Sequence, residues 1–516
     1  IKDFVEADPS ISSQELLKIV TLSTCEVEDV EETGLHLKDV VASKVISLQP
    51  HPDANKLSLV TVDFGAGQQQ VVCGASNFSE GAIVPFAREG VILPGGFEIK
   101  KAKIRGVESC GMLCAEDELG FSDDHEGLMI LSSDTAPGTP LSEIFPDQID
   151  VIMEIDNKSI THRPDLWGHY GFAREFGAIF RKPVKPVDLD INKITGTGDK
   201  IVDVEVPAGE LVPRFCGLSI SNILVGESPK WLQHRLTRVG LRPINNMVDL
   251  TNYVMLELGQ PMHAFDADQI AGGKLIVRLA DNGTKIMTLH QKEAELSERD
   301  LTICDSNGAS VVAGVVGGVD SGVTDATTQI FLEAANWDPI NIRKTSTKIG
   351  LRTDASKRFE KSLDPEMSML AIQRAVELVQ LTNPDMKICG TPVDIINKEN
   401  RPISIDIDFE FIHRRLGKRL EETEIVGILS SLGFGITQNG QTLSVDVPSY
   451  RRTKDVSIPE DLVEEIGRIY GYNNIEPDAP VFPIERPVFN QQHLFEIKTK
   501  HVFSDLNFHE AVNYPL

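Results

Sequence analysis

Residues 251–266 of this chain read TNYVMLELGQPMHAFD, and they carry more information about the fold than any other stretch. A mostly apolar run at 254–258 is bracketed by the polar residues Asn252 and His263. The Gly-Gln-Pro break at 259–261 predicts a turn of the backbone, which can bring the two polar ends together. The pattern therefore predicts a polar pocket beside a buried apolar segment.

The length and composition indicate a multidomain globular protein. A chain of 516 residues is long for one hydrophobic core, so we expect three to five domains. The content of 41% hydrophobic and 25% charged residues is ordinary for a globular protein. No apolar run approaches the roughly 18 residues that span a bilayer, so we expect no membrane association. The first residues resemble neither a signal nor a transit peptide, and the missing initiator Met suggests a start inside a longer protein.

Seven cysteines, an odd number without paired spacing, indicate a reducing compartment and hence a cytoplasmic protein. Cys110 and Cys114 are close in sequence, and His125 follows. No second ligand pair occurs at zinc-finger spacing. We therefore interpret the two cysteines as buried structural thiols and expect no zinc.

The formal net charge of −27 limits any nucleic-acid contact to a local surface, because a general phosphate binder carries a basic stripe. We expect no DNA partner. One dense basic cluster is present, and it contains Lys100, Lys101, Lys103 and Arg105. Phosphate contact and a solvated strand edge, where lysines discourage aggregation, are about equally compatible with this cluster.

Turn signals and periodicity divide the chain into segments. Short alternating strands at 38–147 predict a small closed barrel of the oligonucleotide-binding type, with its last strand at 97–103. A Pro/Lys/Gly-rich stretch at 182–199 predicts a linker. Mixed α/β patterns fill 200–396. Helices and a strand pair follow at 397–476, and another helix and strand begin within 477–516.

The segment 231–266, beginning WLQHRLTRVGLRPINNMVD, resembles the β-subunit of bacterial-type phenylalanyl-tRNA synthetase. The barrel sequences HPDANKLSLV at 51–60 and KIRGVESCGMLC at 103–114 are similar to a tRNA-binding barrel found in several synthetases. The resemblance implies a multidomain α+β protein with an OB-fold tRNA-binding domain and a mixed α/β editing (B3/B4-like) module. It also implies a small helical B5-like domain at 397–476 and the start of an inactive, catalytic-like synthetase module at 477–516. Residues 1–37 would pack with 148–181.

The same resemblance implies partners. ATP-dependent activation of phenylalanine would take place on a separate α-subunit, which binds the ATP, and the holoenzyme would be an (αβ)2 tetramer. The β-subunit would bind phenylalanine tRNA and hydrolyse mischarged tyrosyl-tRNA. A non-catalytic tRNA-binding assembly scaffold is the alternative, because free-standing tRNA-binding proteins share the barrel.

Hydrolysis of an aminoacyl ester needs a positioned water rather than a covalent nucleophile, and the sequence contains no recognisable nucleophile elbow. A buried acceptor for the tyrosine hydroxyl would disfavour phenylalanine by roughly 10⁴–10⁵. By resemblance, Glu333 reads this hydroxyl, while His263, Asn252 and Thr251 line the ester and water side. Arg242 would contact the terminal adenosine or its phosphate. The wall of the side-chain pocket would be formed by Gly317, Thr353 and Ala355.

Simpler interpretations compete with these assignments. A lone Glu at a strand end is usually solvated, and a lone His after a proline is usually an ordinary loop residue.

Two departures from the family pattern also occur. Leu289-His290-Gln291 replaces the usual Leu-Asp-Gly turn, and we expect an altered hairpin rather than an altered pocket. His162-Arg163-Pro164 replaces the usual Pro-Asn-Arg, which leaves the contacts of that turn open.

A carboxylate cluster lies near the end of the B5-like segment, in the sequence DVSIPEDLVEE at 455–465. Hard cations such as Mg²⁺ prefer oxygen ligands. The alternative is an acidic first helical turn favoured by the helix dipole. By resemblance, a magnesium site shared with the α-subunit lies here, with the ligands Asp455, Asp461, Glu464 and Glu465.

Overall fold

The computed structural model describes residues 1–6, 11–122, 125–187, 194–196, 202–485 and 488–514. The chain divides into two units, Ile1–Tyr472 and Asn473–Leu516. Half of the predicted linker at 182–199, namely 188–193 and 197–199, lies outside the described residues. Of the helices in the described ranges, none combines the length and the apolar character needed to cross a bilayer.

The helices of the described residues vary from one turn to more than four turns. They are α1 (Ser13–Ser23), α2 (Leu141–Ile144), α3 (His169–Phe180), α4 (Lys230–Arg238), α5 (Asn246–Leu258), α6 (Pro339–Ile349), α7 (Asp354–Phe359), α8 (Met367–Thr382), α9 (Phe409–Leu416), α10 (Glu422–Ser431), α11 (Pro459–Tyr470) and α12 (Gln491–Asp505).

The strands are mostly short and antiparallel. They are β1 (Val27–Thr33), β2 (Val40–His51), β3 (Ala54–Asp63), β4 (Gln68–Cys73), β5 (Ile83–Ala87), β6 (Ile92–Leu93), β7 (Phe97–Glu98), β8 (Ala102–Ile104), β9 (Val107–Ser109), β10 (Met112–Leu113), β11 (Asp150–Ile155), β12 (Asp203–Glu205), β13 (Arg214–Ser221), β14 (His263–Asp266), β15 (Lys274–Leu279), β16 (Lys285–Met287), β17 (Glu293–Glu295), β18 (Leu301–Asp305), β19 (Gly308–Val312), β20 (Val316–Gly317), β21 (Gln329–Asn336), β22 (Lys387–Ile396), β23 (Ile403–Asp408), β24 (Gly435–Asn439) and β25 (Thr442–Val447).

The predicted barrel is present as a five-stranded sheet in the order β10-β5-β2-β3-β4. Its edges meet, because the amide of Cys110 donates to the carbonyl of Gln70 in β4 at 3.1 Å just before β10 begins. The last barrel strand is therefore β10, and the predicted strand at 97–103 is wrong. That segment forms parts of two small hairpins, β6–β7 and β8–β9, since the Gly-Gly pair at 95–96 and the Arg105-Gly106 turn reverse the chain.

The central module has a four-stranded antiparallel sheet in the order β14-β21-β13-β22. One face packs against α5 and α8 in a helix cluster that includes Leu250, Val254, Leu332 and Ala334. The other face packs in a sandwich cluster that includes Phe265 and Phe331 together with the second sheet, β12-β15-β18-β19-β20. Successive residues of β21 alternate between these two layers, as the strand pleat requires.

Helix α5 was not predicted, and it contains the apolar run at 254–258. Asn245 caps its N-terminus by accepting from the amides of Met247 and Val248. Gly259 ends it with a φ of +79°, a conformation that favours glycine. A Cβ on the neighbouring Gly168 would lie 2.3 Å from the Gly259 amide, so the N-terminal region approaches this helix end very closely.

The predicted pairing of residues 1–37 with 148–181 is seen in the antiparallel β1–β11 ribbon and in one hydrophobic cluster. That cluster combines Val20 of α1 with Phe172 and Phe176 of α3. At 403–470, the sheet β23-β25-β24 packs with α9, α10 and α11 around a core of its own.

A buried ion network joins α3 and the turn before it to the segment leading into α11. Arg163 contacts Asp165 at 2.8 Å and Glu175 at 2.6 Å, and Arg468 contacts Glu175 at 2.5 Å. Arg451 contacts Glu465 at 2.8 Å and also pairs with Asp455. Every side chain in the network is at most 9% exposed.

Opposite charges outweigh burial at Glu465 and Asp165, whereas burial outweighs them at Asp455 and raises the pKa of that carboxyl group. Burial alone would raise the pKa of Glu465, but the guanidinium groups of Arg468 and Arg451 outweigh it and hold that pKa well below its usual range. Arg163 outweighs burial in the same way at Asp165, whose pKa is lowered to about 2. Arg163, which is part of the His162-Arg163-Pro164 departure from the family pattern, is therefore a structural ion-pair residue.

The second unit contains α12, which is capped by Asn490 through the amides of Gln492 and His493. Many of its apolar side chains are exposed, including Phe482, Phe489 and Phe495. The strand predicted after this helix is wrong for the described part, because residues 506–514 form no strand.

Replacing Arg451 by Met should lower the free energy of unfolding by about 3–5 kcal/mol, because Asp455 and Glu465 lose a buried partner. The matched control is Arg419→Met, which breaks an exposed pair with Glu410 and should change it by less than about 1 kcal/mol. Urea denaturation of both variants measures the difference. Equal losses would show that the buried network does not stabilise the fold.

Candidate active site

The sheet of the central module places two of the predicted functional residues side by side. His263 is the first residue of β14, and it lies directly opposite Glu333 of β21 in the antiparallel register. Both side chains share the face that carries Phe265 and Phe331. The cross-strand neighbour of Glu333 on its other side is Gly217 of β13, where a Cβ would lie 2.2 Å from the Phe331 ring. The absence of a side chain at 217 therefore lets the Phe331 ring pack against the backbone of β13 beside Glu333.

Glu333 is only 6% exposed, so the solvated-surface interpretation is wrong for this residue. Burial raises the pKa of its carboxyl group to about 8. Burial is the sole cause of the shift, since no charged group or hydrogen bond in the described residues contributes. At neutral pH the carboxyl group is therefore mostly protonated, and it can both donate and accept a hydrogen bond.

Burial also lowers the pKa of His263, to about 4, so its imidazole is neutral at pH 7. Its ring stands at 87° to the ring of Phe265, with 4.5 Å between the centroids. The hydroxyl of Ser321 lies 3.5 Å from Nε2. Together with the protonated Glu333, this neutral ring makes the site almost uncharged.

Gly317 lies directly against the His263 ring, and its role as a wall of the side-chain pocket stays a prediction. A Cβ at this position would lie 2.9 Å from Cε1 of His263 and 3.0 Å from Cδ1 of Leu289. The glycine therefore allows its backbone to lie against both side chains. Its carbonyl accepts from the Leu289 amide at 2.9 Å.

Leu289 belongs to the hairpin that departs from the family pattern, and Gln291 there has a φ of +56° in place of glycine. Lys292 ties the hairpin to the carbonyl of Ile349 at 2.8 Å. Because Leu289 shares Gly317 with the His263 ring, this hairpin borders the pocket. The altered turn therefore belongs to a hairpin that lies beside His263, and an unaltered pocket stays a prediction.

Thr353 and Ala355 lie at the start of α7, on the sandwich side of the sheet. The hydroxyl of Thr353 donates to the carbonyl of Val315 at 2.7 Å and accepts from the amide of Ser356, which caps the helix. Ala355 packs against the sandwich cluster. Both residues therefore belong to the same layer as His263 and Glu333.

Thr251, Asn252 and Arg242 are not brought to this pair. Thr251 and Asn252 lie in α5, which packs on the opposite face of the sheet, and the Thr251 hydroxyl donates to Val248 within that helix. Arg242 is exposed before the N-terminus of α5, whereas His263 follows its C-terminus. The 13-residue helix that lies between them in sequence is about 20 Å long. The predicted turn at 259–261 exists, but it connects two layers rather than two sides of a pocket.

The basic cluster lies on the β8–β9 hairpin and the residues before it. Lys100 pairs with Glu98 at 2.8 Å, and Lys101 pairs with Glu108 at 3.0 Å. In the described part of the barrel, Lys103 and Arg105 are exposed and form no ion pair. Half of the predicted positive charge is therefore already neutralised by the protein.

The four predicted magnesium ligands do not converge. Asp455 and Glu465 are both engaged by Arg451, and Asp461 accepts from the amides of Ser457 and Ile458 at the start of α11. Glu464 is exposed. Within the described ranges, no group of three or more His, Cys, Asp or Glu side chains could hold a metal ion. The residues do not fit a preformed Mg²⁺ site, because a cation would have to displace a guanidinium group.

Three protein-family models match this chain. The putative tRNA binding domain covers residues 40–140, the B3/4 domain covers 211–383, and the tRNA synthetase B5 domain covers 405–472. The "Phenylalanine--tRNA ligase beta subunit" of Solibacter usitatus is 41% identical over 97% of this chain and 63% of that protein. The subunit of the same name from Anaeromyxobacter dehalogenans is 40% identical over 97% of this chain and 62% of that protein.

Over 97% of its length the chain is similar to phenylalanine–tRNA ligase β-subunits, and it contains the three domains that these family models describe. It spans less than two thirds of the length of these relatives. A solved N-terminal fragment of the phenylalanyl-tRNA synthetase β-subunit from Pyrococcus horikoshii has a TM-score of 0.33 and 17% identity. That fragment is matched over 62% of this chain and 86% of its own length.

The segment that matches the B3/4 domain contains five of the predicted site residues, His263, Glu333, Gly317, Thr353 and Ala355. Sequence reasoning missed Gly217, Ser321 and Leu289. Ser321 and Leu289 stand beside motifs that were recognised, but only the sheet pairing shows that they lie near His263. Gly217 carries no signal of its own, since it is one small residue within a buried strand.

Glu333→Gln should remove a pH dependence of stability. The unfolded chain loses this proton near pH 4.3 and the folded chain near pH 8, so the parent loses stability as pH rises between these values, by at most about 1.4 kcal/mol per pH unit. The free energy of unfolding of the variant, relative to that of the parent, should therefore rise from about pH 5 to about pH 8. His263 makes the opposite contribution, because its lowered pKa reduces stability as pH falls below 6.5, but this contribution is the same in both proteins and cancels in the comparison.

Denaturation at several pH values measures this difference. Glu298→Gln, which changes an exposed carboxylate of the same module, is the control and should follow the parent at every pH. A constant difference between Glu333→Gln and the parent would contradict the raised pKa.

Proposed function

We propose that this chain is the tRNA-binding and editing part of a phenylalanine–tRNA ligase β-subunit, and that it hydrolyses mischarged tyrosyl-tRNA at the His263–Glu333 pair. The observation that carries the proposal is the direct cross-strand pairing of Glu333, a buried carboxyl group with a raised pKa, with His263, a half-buried imidazole with a lowered pKa. The close approach of the Gly317 backbone to the imidazole supports it.

Glu333 supplies selectivity in this proposal. A phenol hydroxyl can donate to the carbonyl oxygen of the protonated carboxyl group and accept from its O–H. Phenylalanine has no hydroxyl, so its binding would leave a buried donor and acceptor without partners. That penalty is about 1–3 kcal/mol for each group, and a site of this kind discriminates by roughly 10⁴–10⁵. A neutral carboxyl group suits this task, because a buried carboxylate would be costly before substrate arrives.

His263 lies on the ester side in this proposal. Its neutral ring can accept a proton from the attacking water, whereas an imidazolium could not. Thr251, Asn252 and Arg242 have no part in the pair, so we assign no hydrolytic step to them. Contact of the exposed Arg242 with a distal part of the tRNA remains part of the proposal.

The wider proposal concerns partners. A separate α-subunit would bind ATP, activate phenylalanine and assemble with the β-subunit as an (αβ)2 tetramer in the cytoplasm, with Mg²⁺ used by the holoenzyme. The barrel and its Lys103–Arg105 edge would bind phenylalanine tRNA. A non-catalytic tRNA-binding scaffold is the alternative, and the buried pair favours hydrolysis, since a scaffold has no need of two desolvated titratable groups.

Glu333→Ala should slow deacylation of tyrosyl-tRNA by the holoenzyme about 10- to 100-fold, the cost of a lost buried hydrogen bond to the hydroxyl. Attachment of phenylalanine should be unchanged, because Glu333 takes no part in it. The exposed Glu298→Ala variant serves as the control and should deacylate like the parent. If the parent itself leaves tyrosyl-tRNA intact, the scaffold alternative is correct.

Replacing Lys103 and Arg105 together by Ala should weaken tRNA binding and reduce the slope of log affinity against log salt by about 1–2. The matched double variant Lys100→Ala/Lys101→Ala should have a smaller effect, because those lysines are already paired with Glu98 and Glu108. Filter binding over a range of salt concentrations measures both slopes. Identical slopes in the parent and both variants would exclude this hairpin as a phosphate contact.

A further inference from the structure

The loop after β20 wraps along β14, the edge strand that carries His263. Gly318 forms a bridge with Thr288, and Gly322 forms a bridge with Phe265. Ser321 lies between these two points and is only 5% exposed. The loop therefore holds the Ser321 hydroxyl against the imidazole from the outer edge of the sheet.

The single hydrogen of this hydroxyl has two possible acceptors. The carbonyl oxygen of Gly318 lies 3.0 Å from Oγ, and Nε2 of His263 lies 3.5 Å away. Hydrogen bonds weaken steeply beyond about 3.2 Å, so the hydrogen belongs to the Gly318 carbonyl. Ser321 then presents a lone pair toward Nε2, and an Nε2–H group suits this geometry better than a second lone pair.

We propose that Ser321 is a positioning residue that fixes His263 as the Nε2–H tautomer and so leaves the lone pair of Nδ1 free to take a proton from the attacking water. The inference rests on the proposed hydrolysis. Some polar side-chain atoms of the described residues are shielded from solvent and have no hydrogen-bond partner. Nδ1 of His263 is not one of them, so water can reach it. The ring is also neutral at pH 7, as this role requires.

The proton balance of the step is complete. The water oxygen forms a bond to the ester carbonyl carbon, and one water proton moves to Nδ1 of His263. The tetrahedral intermediate then breaks its bond to the ribose oxygen, which takes the proton back from Nδ1. The products are the free amino acid and the tRNA with its terminal hydroxyl restored, and the imidazole returns to its starting form.

Ser321→Ala in the holoenzyme tests the inference. We expect kcat for tyrosyl-tRNA deacylation to fall about 10-fold, the cost of one hydrogen bond, with KM unchanged. In histidine-labelled protein, ¹H–¹⁵N correlation spectra should show His263 as the Nε2–H tautomer in the parent and as a mixture of tautomers in the variant. Ser321→Thr keeps the hydroxyl and should restore most of the rate and the single tautomer.

The matched control is Ser346→Ala, which removes another buried serine hydroxyl of the same module, one that bonds within α6 to Arg343. It should change neither the rate nor the spectrum of His263. An Nδ1–H tautomer in the parent, or an unaltered rate and tautomer in Ser321→Ala, would overturn the role of Ser321.

The two proposals fail in different ways. If Glu333→Ala deacylates tyrosyl-tRNA slowly while Ser321→Ala matches the parent, the hydrolytic function stands and the positioning role is wrong. If the parent holoenzyme does not deacylate tyrosyl-tRNA, the function is wrong. The His263 spectrum of the parent and of Ser321→Ala then decides the tautomer assignment independently of any activity.

Discussion

The register of β21 between β14 and β13 is the constraint on which the site depends. In this register Phe331, Glu333 and Ala335 face the sandwich layer, while Ile330, Leu332 and Ala334 face the helices. A slip by one residue would exchange the two sets and move the carboxyl group to the layer of α5 and α8. Fully buried apolar residues on both sides of Glu333 make such a slip very costly, so packing of hydrophobic side chains positions a polar group.

The sequence predicted most elements that have a strong period or a clear boundary. The helices and the strand pair predicted within 397–476, and the short strands predicted for the barrel at 38–147, correspond to observed elements. Helix α5 was missed because the polar residues within 246–258 break the apolar pattern, although most of them are buried in the folded protein. The last barrel strand was misplaced because β10 has only two residues, and its pairing with β5 is set by distant contacts.

For the site, resemblance identified the residues and the structure determined their grouping. His263 and Glu333 come together because β14 and β21 pair in one sheet, and Gly317 approaches the His263 ring from the second sheet. Thr251 and Asn252 are close to His263 in sequence, yet a helix and a turn carry them to the other layer. The carboxylates at 455–465 show the same limitation. Their neutralisation by Arg451 and Arg468 depends on a tertiary network, and an acidic motif alone gives no indication of it.

The two buried polar systems of this chain solve the problem of desolvation in opposite ways. Between α3 and α11, every buried charge has a partner, so the groups remain ionised and bind the modules together. Within the described residues, no counter-charge shifts the pKa of Glu333 or His263, so burial drives both groups to their neutral forms. The ion network leaves little free hydrogen-bonding capacity for a ligand, since of its described polar side-chain atoms only Nη2 of Arg451 is buried without a partner. The neutral pair keeps that capacity, since its polar atoms are buried without being consumed by the protein. Such a site discriminates by hydrogen bonding alone, which is what separating a phenol from a phenyl ring requires.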